Sequence, residues 1–235
     1  MLKYQFDWAI VLSGKYFEWL VSGVKVTIQL SAVSIALSFL LGLTIAVMRM
    51  SRVRPVRWFA LGYLEFFRNT PLLVQIFFWY FGSYKILPKA VNDWLVSTDF
   101  EFASAVIALT IYTSAFIAED IRSGVLSIPK EQMEAARSSG FSYIRSMRYI
   151  ILPQAVRITV PPLINQFLNV VKNSSLAMTI GVAELTYQAR QVESYTFKGF
   201  EAFTAATVVY LAMSLIITAA VTWYSKTVLS PMRAR

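Results

Sequence analysis

Two stretches of the chain hold no charged residue: residues 26–48, over 23 positions, and residues 202–225, over 24. A helix needs roughly 20 apolar residues to cross the hydrocarbon layer of a bilayer. Both stretches pass that test on length alone. Three further stretches are apolar but interrupted by charge, at residues 58–84, 102–121 and 153–172. With the first run extended to residues 23–48, the pattern predicts an all-α membrane protein with five transmembrane helices. Pro161-Pro162 is a candidate break in the fourth span, because proline removes a helical donor. There is no internal repeat and no linker, so the chain reads as one domain over residues 1–235, with the bundle from about 23 to 226. The first 25 residues lack a compact apolar run ahead of a small-residue cleavage site, so no removable leader is expected.

Charge orients the spans. Only 15% of residues are charged and 57% are apolar, too little charge to cover a soluble domain of this size. The net charge of +9 is compatible with nucleic-acid binding, but the basic residues sit beside the apolar spans. Arg49, Arg52, Arg54 and Arg57 follow span one. Arg122, Lys130, Arg137, Arg145, Arg148 and Arg157 lie between spans three and four, and Lys226, Arg233 and Arg235 form the tail. The opposite side holds Lys3, Lys15, Lys25, Lys85, Lys89, Arg190 and Lys198. Thirteen against seven places the first side in the cytoplasm, with the N-terminus outside and the C-terminus inside. With no cysteine and no histidine, disulfides, His or Cys zinc sites and Ser-His or Cys-His catalysis are excluded. No cofactor is expected, and no membrane-enzyme carboxylate pair stands at a catalytic spacing. There is no G-x-x-x-x-G-K-[ST] phosphate loop, so any ATP hydrolysis belongs to another chain.

The loop at residues 127–153, SIPKEQMEAARSSGFSYIRSMRYIILP, carries the strongest signal. Ser127 can cap a helix, Pro129 suits its first turn and Glu131 complements the positive helix end. Met133, Ala136 and Gly140 follow one face, and Glu134 and Arg137 can pair at i, i+3. Gly140 can end the helix and Ser142 can cap the next, whose apolar stripe is Ile144, Met147 and Ile151. Pro153 ends it or begins the following span. On shape alone, the segment fits an ordinary amphipathic interfacial helix as well as a docking helix.

The residues narrow the choice. Glu134-Ala135-Ala136, then Gly140, then Leu152-Pro153 at their spacing resemble the EAA loop of ABC importer permeases. That resemblance implies a cytoplasmic coupling helix between spans three and four, seated in a groove of a separate ATPase subunit. Thr27–Ser31, Glu65–Gln75, Pro161-Pro162, Asn165 and Lys172-Asn173-Ser174 look like the polar amino acid permeases, the branch for histidine, glutamine, glutamate and arginine. Residues 184–204 look most like the glutamate/aspartate members. The resemblance implies a bacterial inner-membrane transport subunit rather than an enzyme. Its implied partners are ABC ATPases, a second copy or sister permease, an extracytoplasmic solute-binding protein and an amino-acid substrate. An ion- or proton-coupled secondary carrier is the alternative, supported by Glu65 and Glu119 and opposed by the lack of paired repeats.

Polar groups within spans are expensive and face bundle interiors or water-filled paths. Span two offers Glu65, Arg68, Asn69, Thr70 and Gln75, with Pro71 weakening the helix. Glu65 and Arg68, at i, i+3, either line a path or form a buried structural pair. Span four offers Asn165, Asn169 and Asn173 on one face with Lys172 alongside, then Ser174. These either glue helices together or line the path. By the family resemblance, Arg68 or Lys172 receives a substrate carboxylate. Glu119, Asp120 and Arg122 read as a solvated cluster or structural pair. Glu184, Arg190 and Glu193 are expected on the outer surface, against the solute-binding protein.

Overall fold

The computed structural model describes residues 4–97 and 99–224. Ser225, which ends the expected fifth span, lies outside them, as do Lys3 and the tail cations Lys226, Arg233 and Arg235. Among the described residues there are helices and no strands. A four-residue helix α1 (Ala9–Leu12) precedes α2 (Gly14–Arg49), α3 (Arg54–Arg68) and α4 (Leu72–Ile86). Next come α5 (Lys89–Ser97), α6 (Phe100–Leu126), α7 (Lys130–Ser138) and α8 (Tyr143–Ser146). A π-helical turn, Met147–Ile151, leads into α9 (Leu152–Asn173), which tightens into a 3₁₀ segment, Ser174–Ile180. The last helices are α10 (Leu185–Thr196) and α11 (Gly199–Tyr224).

Among the described residues, three helices are long and apolar enough to cross a membrane: α2, α6 and α11. They coincide with the expected spans one, three and five. At 36 residues, α2 starts nine positions earlier than the apolar run, because nothing between Gly14 and the run breaks a helix. Its length is about 54 Å at 1.5 Å per residue, well beyond a hydrocarbon layer of about 30 Å. Gly23, Thr27, Ser31, Ser34, Ser38 and Gly42 recur on one face of α2, and all are buried. Small residues in such a stripe let helix backbones approach closely.

The expected second span is not one helix. Asn69, Thr70 and Pro71 interrupt it, dividing it into α3 and α4 of 15 residues each. Proline drives its predecessor out of the helical region, and Pro71 itself is extended, at φ −62° and ψ 134°. Each half is about 22 Å long. Conversely, α9 runs unbroken through Pro161 and Pro162. Neighbouring helices and Ser/Thr side chains can hold such a helix together, and Thr159 donates to the Ala155 carbonyl at 2.7 Å just before the pair.

The chain forms two compact units. The first draws on Met1–Ile35, Pro71–Leu109 and Leu168–Ala220. Its core is Val11, Leu20, Leu185, Ala189, Val192, Ala202 and Ala206. Here α2 meets the start of α10 so tightly that a Cβ at Gly23 would lie 2.8 Å from Leu185 Cα. The second unit draws on Ala36–Thr70, Thr110–Phe167 and Val221–Arg235. Ile45, Ala46, Ala60, Leu64, Ala115 and Ala118 form its core, where α2, α3 and α6 meet. Tyr63 ties α3 to α6 through its hydroxyl, 2.9 Å from the Ile111 carbonyl and 2.7 Å from Ser114 Oγ.

Candidate functional site

The loop between α6 and α9 is a folded object within the second unit. Pro129, not Ser127, occupies the N-cap of α7, in an extended conformation and without a side-chain cap. Ser127 instead donates to the Gly124 carbonyl at 2.8 Å. Ala136 is buried and Met133 half-buried, so one face of α7 packs toward a small core of Ile128, Ile151 and Ala155. The other face carries Glu134, Ala135, Arg137 and Ser138, all exposed. Among the described residues, neither Glu134 nor Arg137 makes an ion pair, contrary to the i, i+3 expectation. Both charges point away from the chain.

Gly140 ends α7 with φ +83°, a conformation that glycine adopts without strain. The Gly140 and Phe141 N–H groups return to the Arg137 and Ala136 carbonyls, each at 3.1 Å. Ser142 caps α8 as expected, accepting from the Arg145 N–H at 3.3 Å. The apolar stripe after it is only partly inward: Ile151 is buried and Met147 half-buried, but Ile144 is 76% exposed. The switch to a π-helical turn at Met147 changes the angular spacing that the stripe assumed. Leu152 and Pro153 then open α9, both exposed.

The two stems of this loop are clasped. A Cβ on Gly124, near the end of α6, would lie 2.0 Å from Thr159 Oγ1 on α9. Only glycine admits this approach.

Residues of the expected solute path occur in both units. In the second, Glu65, Arg68 and Asn69 are exposed at the end of α3 and Thr70 is half-buried. The buried Glu65–Arg68 pair does not form. Asn69 Nδ2 donates to the Glu65 carbonyl at 2.6 Å and to its carboxylate at 3.2 Å. Arg68 turns instead toward α6, with Cζ 5.4 Å from the Phe116 ring centre. One turn further along α6, Asp120 accepts from Gln166 Nε2 of α9 at 2.9 Å. Beside it, Arg122 grips Glu119 through two bonds of 2.5 and 2.9 Å, the structural pair that the spacing suggested. Gln166 carries no charge and breaks no pattern, so sequence gave no signal of its role.

In the first unit, Gln75 is buried on α4, which packs against the 3₁₀ segment that begins at Ser174. Ser174 is also buried and donates to the Val171 carbonyl at 2.7 Å. Asn169 and Lys172 are exposed on α9, and Asn173 is half-buried. Asn165, earlier on the same helix, is exposed as well. Along α9, Asn165, Asn169 and Lys172 are thus all exposed.

The outer segment departs from expectation at Glu184, which is completely buried and offers nothing to a surface partner. It caps α10, accepting from the N–H groups of Tyr187 at 2.8 Å and Thr186 at 2.9 Å. The Tyr210 hydroxyl adds a third bond at 2.6 Å. Burial pushes its carboxyl above the ordinary range, against the pull of these donors. Of the three expected surface residues, Arg190 is exposed and Glu193 half-buried.

A family model for the binding-protein-dependent transport system inner membrane component matches residues 38–230. The probable glutamine ABC transporter permease protein GlnM of Bacillus subtilis is 44% identical, over 89% of this chain and 93% of that protein. The glutamate/aspartate import permease protein GltJ of Escherichia coli K12 is 32% identical over 98% of each. A crystal structure of an amino acid ABC transporter with histidines shares the fold at a TM-score of 0.84 and 33% identity, covering 95% of this chain and 99% of that one. With membrane-length helices and likeness over nearly its whole length, the chain belongs to the inner membrane components of binding-protein-dependent transport systems, the permease subunits of ABC transporters.

Proposed function

We propose that this chain is the permease subunit of an importer for polar amino acids, driven by ATP hydrolysis on separate subunits. It forms a single permease domain with five spans in the cytoplasmic membrane of a bacterium. In this reading the divided second span counts as one crossing, the N-terminus lies outside and the C-terminus inside. Two permeases, identical or sister chains, flank the path, and a solute-binding protein delivers the substrate from outside.

The exposed outer face of α7 carries the reading. Its inner face is anchored through Ala136 and Met133, while Glu134 and Ala135 stand free for a partner. A side chain of one methyl group at Ala135 permits close docking, and Glu134 supplies a charge to meet a basic groove. Gly140, Leu152 and Pro153 shape the bend and the return to the membrane. Replacing Glu134 by Arg together with Ala135 by Trp leaves the anchored face untouched. The expected result is a permease that reaches the membrane but loses its co-purifying ATPase and its uptake. Retention of both rejects the docking role, and uptake that survives ATP depletion but collapses with a proton uncoupler points to a secondary carrier.

For the path we nominate Glu65, Arg68, Asn69, Thr70, Gln75, Asn165, Asn169, Lys172 and Ser174. Arg68 and Lys172 are exposed cations suited to a substrate carboxylate. Either could receive that carboxylate, and the substrates we nominate are glutamate or aspartate. Competition among amino acids for uptake by the assembled importer tests that choice, and preference for glutamine would set it aside.

A further inference from the structure

Residues 4–12 lie against the outer turns of α2 and α11 in the first unit. Glu201, fully buried in the first turn of α11, accepts from the Tyr4 hydroxyl and from the Asp7 N–H, the latter at 2.8 Å. Lys198 donates to the Gln5 carbonyl, and its Nζ stands 5.0 Å from the Tyr4 ring centre. The rings of Phe6 and Trp8 pack on Phe200 at 5.4 and 6.0 Å. This pinned hook closes one end of a groove of about 310 Å³. Val11, Leu12, Phe17 and Val21 form one wall, and Ala205 and Val208 form the other. The lining contains a single hydroxyl, that of Thr204, and no charge.

Both walls include helices able to cross a bilayer, and only 6% of the most apolar window of α11 is buried inside the chain. The hook supplies what an interfacial rim needs. Aromatic rings favour the headgroup level of a membrane, and Tyr4, Phe6, Trp8 and Phe200 form such a group. One cation joins it: Lys198, which donates to the Gln5 carbonyl and lies over the Tyr4 ring. We propose that the groove holds one acyl chain of an anionic phospholipid, with its headgroup at Lys198. The assignment to the outer leaflet rests on the topology given above.

The test uses the purified importer complex with phosphatidylglycerol or phosphatidylethanolamine, read by native mass spectrometry. The expected result is a phosphatidylglycerol adduct that survives detergent exchange. Ala205→Phe, which fills the groove, should abolish it. Lys198→Gln should remove the preference for phosphatidylglycerol over phosphatidylethanolamine. An adduct undiminished in Ala205→Phe overturns the proposal. Because the chain contains no cysteine, Val208→Cys gives a second reading if Ala205→Phe fails to assemble. Labelling by a lipid-dissolved maleimide supports the lipid site, while an oxidative cross-link to a second permease overturns it. Ser13→Cys, probed from outside with an impermeant maleimide, tests the topology separately.

Discussion

Two glycines show how differently the same residue can be required. At Gly140 the backbone is left-handed, but a Cβ would meet nothing within 4 Å. Gly140→Ala should therefore destabilise only through strain, by about 1–2 kcal/mol, and Gly140→Asn less, since asparagine tolerates that conformation. At Gly124 the backbone is ordinary, but the space is taken by Thr159. Gly124→Ala must turn the Thr159 side chain away from its bond to the Ala155 carbonyl or push α6 from α9, an overpacking that typically costs about 1–3 kcal/mol. Thermal unfolding of the purified complex checks both. Adding Thr159→Ala, which removes the clashing hydroxyl, to Gly124→Ala should recover part of the loss, and no second change should rescue Gly140→Ala in this way. Gly140 was legible in the sequence from its place after a helical stripe. Gly124 was not, because its need arises from a residue 35 positions away.

Among elements, the long spans were the legible part. Charge-free runs located α2 and α11 because lipid tolerates few charges, and that constraint acts on each helix alone. Proline gave two opposite outcomes. Pro71 divides a span at a point where Asn69 and Thr70 turn their side chains back on their own helix. Pro161 and Pro162 leave α9 intact, with Thr159 bonded back to the Ala155 carbonyl just before them. Sequence alone does not distinguish these cases, since it does not say which partners each polar group meets. Glu184 was misplaced for the same reason: its partners Tyr210 and Thr186, and Thr27, which accepts from Leu185 N–H at 3.1 Å, come together only in the fold. The exposed polar face of α9 yields a prediction at this scale. Asn165→Leu with Asn169→Leu should lower uptake by about tenfold, or ~1.4 kcal/mol, while the complex still purifies whole. Dissociation of the two permeases instead would identify those residues as helix glue.

At the scale of the molecule, the close approach of Gly124 and Thr159 bears on the proposed docking loop. In the proposed topology the chain leaves the membrane along α6 and returns along α9, and these two helices meet tightly at Gly124 and Thr159. A hinge at that point would let α7 swing idly. In the proposed coupling, a tightly packed stem makes α7 the short arm of a lever whose long arms are the two flanking spans, so a push on one would be delivered to both without play. The same stiffness sets a way to disengage the drive. Two glycines inserted after Leu126 should introduce slack between the handle and the spans. ATP hydrolysis by the assembled importer should then continue while amino-acid uptake falls, an engine running with its clutch out.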